Sequence, residues 1–104
     1  MAEIDRMDMN EELTEIIRGR TIELVTKEEG LVAILFNDRS TLQIKTIGAL
    51  SENMLGEGRI KGVREVGDIL TLFGEQDRAT ELRLASPGSS VSVKTKDGEV
   101  EYSG

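Results

Sequence analysis

The chain says nearly the same thing twice. Gly30-Leu-Val-Ala-Ile-Leu-Phe36 is answered 37 positions later by Gly67-Asp-Ile-Leu-Thr-Leu-Phe73, and each heptapeptide is preceded by an Ile-x-x-Val, Ile22 to Val25 and Ile60 to Val63. Similar turns follow, Asp38-Arg39-Ser40-Thr41 in the first copy and Asp77-Arg78-Ala79-Thr80 in the second. Each turn leads into an alternating stretch, Leu42-Gln43-Ile44 or Leu82-Arg83-Leu84. Internal repetition constrains architecture before any other signal does, and here it predicts two related three-stranded units, over about 20–45 and 58–84.

The apolar period supports strands. Thr21 to Thr26, Leu31 to Phe36, Thr41 to Lys45, Ile60 to Val66, Ile69 to Phe73 and Thr80 to Leu84 read either as alternation or as short solid apolar runs. The two middle strands are apolar on both faces, so each is expected to sit centrally with both Phe rings in the core. The second copy carries one more residue between its Asp-Arg turn and its alternating stretch. A one-residue slip would turn Leu82 and Leu84 outward, so a bulge or longer loop is expected near Gly74 to Thr80. After Ser86-Pro-Gly-Ser-Ser90, a tight turn, Val91 to Thr95 and Glu99 to Tyr102 flank Asp97-Gly98 and spell a terminal hairpin over 91–102.

Before the repeats, Asp8 or Asn10 can cap a helix, with Asp8 and Glu11 at capping-box spacing. Leu13, Ile16 and Ile17 then form one apolar stripe and Gly19 supplies a stop, which predicts a short amphipathic helix over about 10–18 behind a frayed start. Between the repeats, Ser51 to Leu55 can make one helical turn within a long connection. The expected fold is mainly β. It comprises a duplicated three-stranded antiparallel meander plus a C-terminal hairpin, closed as a small barrel or folded as a sandwich, with one short N-terminal helix, in a single domain over 1–104.

Composition narrows function chiefly by exclusion. The chain of 104 residues has no Cys and no His, which removes disulfides, thiolate nucleophiles, imidazole bases and the usual zinc sites together, so neither a metal nor a cofactor is expected. Asp5, Asp8, Asn10 and Glu12 resemble a calcium loop only in composition, lacking its spacing and internal Gly. Net charge is −7, and the aromatic residues number three, so phosphate neutralisation and base stacking both lack their residues and direct nucleic-acid binding is not expected. The start has no signal-peptide pattern and no run suits a membrane span, which points to the cytoplasm.

Few constellations invite chemistry. Arg39 and Arg78, on the repeat-related turns, could clamp an anion, although Asp and Thr at such turns have a sufficient structural role. Arg59, Lys61 and Arg64 form the one local basic cluster, on the strand that opens the second copy. Gly56-Glu-Gly58 and Pro87-Gly-Ser-Ser90 could offer backbone N–H groups to phosphate, but neither matches a nucleotide-binding motif. Carboxylates are plentiful, Glu57 with Asp77 for example, yet no spacing singles out an acid–base pair, and catalytic residues are not assigned.

The expected function is therefore a non-catalytic binding or interaction module that self-associates and recognises a protein or a small ligand. Two alternatives belong to other classes: an acidic inhibitor that imitates nucleic-acid charge against a basic partner, and a small carboxylate-dependent hydrolase. Self-association follows from surface left over. Leu31, Ala33 and Leu35 point to one side of the strand and Val32, Ile34 and Phe36 to the other, more apolar area than one short helix covers, which predicts a homodimer.

Overall fold

A computed structural model of the chain describes residues 11–48, 58–75 and 78–104. Helix α1 (Glu11–Ile17) precedes the strands β1 (Thr21–Glu28), β2 (Leu31–Phe36), β3 (Thr41–Lys45), β4 (Gly58–Arg59), β5 (Gly62–Val66), β6 (Ile69–Phe73), β7 (Ala79–Arg83), β8 (Val91–Lys94) and β9 (Val100–Ser103). They form two antiparallel sheets, one ordered β4-β1-β2-β3-β8-β9 and one ordered β5-β6-β7. Two three-stranded meanders, a terminal hairpin and one short helix are thus present as the sequence predicts. They form a small sandwich-like arrangement and not a closed barrel, because the described strands divide into two ladders. The proposed helix caps Asp8 and Asn10, the turn at Ser51 to Leu55, and Glu57 and Asp77 lie outside the described residues.

Both sheets and the helix feed one hydrophobic cluster. The larger sheet contributes Ile22, Val32, Ile34, Phe36, Leu42, Ile44, Val91 and Val93, the smaller Val63, Leu70, Leu72 and Leu82, and α1 adds Leu13 and Ile17. An isolated bridge between Thr46 and Leu84 joins the sheets, reinforced by hydrogen bonds from Ile47 N–H to Arg83 O (3.0 Å) and from Ala85 N–H to Lys45 O (3.0 Å).

The repeats pair differently from their sequence alignment. In the first hairpin Glu28 faces Leu31, so the loop is Glu29-Gly30; in the second Val66 faces Ile69, so the loop is Gly67-Asp68. Glycine holds the second loop position in one (φ 80°) and the first in the other (φ 61°). Every residue after Gly67 is therefore displaced one place relative to its counterpart after Gly30, and a displacement of one exchanges the faces of a strand. Val32, Ile34 and Phe36 point into the core, whereas in β6 the inward residues are Leu70 and Leu72. Phe73 thus turns to the outer face and is only half-buried, which corrects the expectation of two equivalent core rings.

The same shift accounts for the extra residue of the second copy. β6 pairs with β7 without interruption from Ile69–Arg83 to Phe73–Ala79, so the bulge expected there is absent, and Leu82 and Leu84 still face inward. The bulges fall elsewhere, at Glu23 between Ile22 and Leu24 in β1 and at Glu101 in β9, opposite Val93 and Lys94 of β8.

Helix α1 ends as expected at Gly19 (φ 87°) and packs against β5 and β9. Thr14, inside the helix, lies outside the apolar stripe that marks the helix in the sequence. Its Oγ1 accepts a hydrogen bond from Val63 N–H (3.0 Å) and donates to Val63 O (3.3 Å), supplying partners to β5 on the edge that β6 does not occupy.

Candidate functional site

Among the described residues, a recess lies where the end of α1 meets the link between β4 and β5. Gly19 N–H donates to Ile60 O (2.8 Å) and Ile60 N–H donates to Arg20 O (3.0 Å), which zips the helix stop to the start of the second meander. Alternation along this extended link sends Ile60 into the core and its neighbours Arg59 and Lys61 outward. With Arg18, Gly19 and Glu75 they line an open cleft of about 420 Å³. Glu75 Oε1 accepts from Arg59 N–H (3.2 Å), and Lys61 N–H is spent on Phe73 O (2.7 Å). Because these main-chain donors already have partners, the cleft can offer a ligand its side chains: two guanidinium groups and one ammonium against one carboxylate. Arg18 also lies 3.7 Å from Glu15, in a solvent-exposed pair of small energetic weight.

The structure sorts the sequence candidates. Arg59 and Lys61 come together in the cleft, joined by Arg18. Arg64 does not join them. It stands over the ring of Phe73, 5.4 Å from the centroid, on the outer face of the smaller sheet, where the outward turn of Phe73 has created a seat for a cation. Arg39 is engaged with Glu23 (3.3 Å), and Arg78, exposed in the β6–β7 turn, does not line the cleft. The two turns also differ in detail. Arg39 has φ 74°, the one non-glycine residue with positive φ among those described. Its loop, Asn37 to Arg39, places its last residue in the left-handed region, where Gly98 sits in the β8–β9 hairpin (φ 87°). In the Pro87 turn, Ser86 N–H donates to Ser90 Oγ (2.7 Å) and Ser89 N–H to Ser86 O (2.9 Å), so these donors are turned to internal use. Among the described residues, no three of His, Cys, Asp and Glu converge as metal ligands.

A second polar cluster has no counterpart among the sequence candidates. Arg20, only 18% exposed, forks onto Glu101 with two bonds of 2.9 Å, donates to Ser40 Oγ (2.9 Å) and lies 3.6 Å from Asp38. It ties the start of β1 to the β2–β3 turn and to the outermost strand β9. The Glu101 hydrogen bond raises the Arg20 pKa against the opposing effect of burial. For Asp38, burial alone would raise the pKa, but hydrogen bonds from Ser40 and the charge of Arg20 together hold it below its ordinary value. Single positions at separations of 20 and 81 residues carry no local signal, so nothing in the pattern could have joined them. Arg18, by contrast, stands next to a recognisable helix stop.

No family model, no curated protein and no solved structure matches this chain. Among the described residues, no helix is long and apolar enough to cross a membrane.

Proposed function

We propose that this chain is a non-catalytic binding module whose ligand presents a carboxylate or phosphate to the cleft between α1 and the β4–β5 link. The observation that carries the reading is that Arg18, Arg59 and Lys61 line one cleft beside the buried Ile60 on a molecule whose net charge is −7. Cations gathered against that overall balance form a local positive site, and Arg adds a planar fork matched to either oxyanion. The cleft volume falls in the range of small-molecule sites.

The test is calorimetric titration with a panel of small dicarboxylates and organic phosphates and, separately, acidic peptides, which distinguish a free ligand from a partner's side chain. Binding should weaken with added salt. The Arg59→Ala, Lys61→Ala pair should reduce affinity at least tenfold, while Arg39→Ala with Arg78→Ala leaves it within a factor of two. A ligand whose affinity ignores the first pair, or one that is turned over, would overturn the reading.

A further inference from the structure

The outer face of the larger sheet has no cover among the described elements, since α1 packs on β5 and β9 and the core lies on the opposite side. Pairing places three rows on that face. Leu24, Leu35 and Thr41 form one, Thr26, Ala33 and Gln43 the next, and Glu28, Leu31 and Lys45 the third. Leu24 is 57% exposed, and Leu31, Ala33 and Leu35 are each only partly buried. The centre of the patch is apolar, with one small residue, Ala33, in the middle; one end carries an acid on β1 and a base on β3. Among the described residues neither Glu28 nor Lys45 has an ion-pair partner in its own chain.

We infer that this face pairs with the same face of a second copy about a two-fold axis running along β2. The arrangement of charges selects both the partner and the axis. A two-fold along β2 lays β1 of one copy over β3 of the other at the same height. Leu31, Ala33 and Leu35 then meet their own counterparts, Thr26 meets Gln43, Leu24 meets Thr41, and Glu28 meets Lys45 twice by symmetry. A two-fold across the strands sets Glu28 against Leu24 and leaves both charges without a counter-ion, so it is disfavoured. Packed sheets stand about 10 Å apart, a distance the long Glu and Lys side chains at the rim can bridge while the small Ala33 allows the centre to close. Three strands make a modest interface, so association in the micromolar range is expected.

Sedimentation equilibrium at about 100 µM should give a species of twice the 11.4 kDa chain mass. Glu28→Lys or Lys45→Glu alone places like charges together on both sides of the interface and should weaken the dimer by about tenfold or more. Mixing the two variants should restore it, because every contact in the heterodimer again joins an acid to a base. The introduced lysine of one variant meets the introduced glutamate of the other, and Lys45 of the first meets Glu28 of the second. Restoration on mixing arises only from contacts between copies. Both positions are exposed, so the fold should survive, as circular dichroism would verify. A monomeric wild type, a dimer indifferent to either reversal (the signature of edge-strand pairing), or variants that stay apart on mixing would each overturn the inference.

Discussion

The two meanders share a heptapeptide and use it differently. In the first, Gly30 closes its loop and the strand that follows buries Val32, Ile34 and Phe36; in the second, Gly67 opens its loop and the strand buries Leu70 and Leu72, leaving Phe73 on the outer face. The difference shows that where a glycine sits within a two-residue turn, and not the apolar string after it, decides which residues reach the core. A solid apolar run tolerates either choice, because both of its faces can be buried. The displaced ring is then accommodated on its new face, where Arg64 lies over it.

The largest expected effect tests that asymmetry. Phe36→Ala should cost about 3–5 kcal/mol in urea unfolding, the usual range for a fully buried ring, whereas Phe73→Ala should cost about 1–2 kcal/mol, from partial burial and one cation–π contact. Equal losses would break the comparison.

The meanders also differ at their edges. β1 is paired on both sides, with β4 and β2, whereas β5 has β6 on one side and Thr14 on the other. Thr14→Val keeps the side-chain shape but removes the partner of Val63 N–H and O, and should destabilise by about 1–3 kcal/mol. Hydrogen exchange should then accelerate at Val63 and leave β1 unchanged.

A smaller effect separates the two long turns. The β2–β3 turn is clasped by Arg20 through Asp38 and Ser40. Asp38 has a folded pKa below its ordinary value of 3.8, so its ionisation contributes stability at pH above about 4, and that contribution disappears as the pH falls through the lower folded value. Asp38→Asn should therefore be less stable than wild type at pH 6, with the gap narrowing as the pH falls below the ordinary value of 3.8 in denaturant titrations at each pH. A gap independent of pH would assign the role of Asp38 to shape and not to charge. The smallest effect concerns Arg39: glycine at this left-handed position should raise stability by about 0.5–1 kcal/mol, less whatever the exposed pair with Glu23 supplies.

Local chemistry made most of the elements legible. Alternation and apolar runs located the strands, with β2, β3 and β6 matching from end to end, and Gly19 and Gly98 marked a helix stop and a hairpin. Register was not legible for the second copy, because Ile69 and Phe73 on one face of the strand and Leu70 and Leu72 on the other are all apolar and do not name the inward face. The cleft was half legible. Arg59 and Lys61 stand two apart on an extended link, a spacing that places them on one side, but Arg18 arrives from the helix and Glu75 from beyond β6, through contacts that only the tertiary fold creates. The Arg20 cluster depends wholly on such contacts.

The displacement of the two heptapeptides can be tested through their rings. With two Phe and one Tyr in the chain, the aromatic proton spectrum is sparse enough for each ring to be followed separately by nuclear Overhauser contacts. The account predicts that the Phe36 ring contacts core methyl groups alone, while the Phe73 ring contacts the side-chain methylenes of Arg64 and shifts when Arg64→Ala is made. Two rings with matching sets of core methyl contacts, and no contact from Phe73 to Arg64, would contradict it.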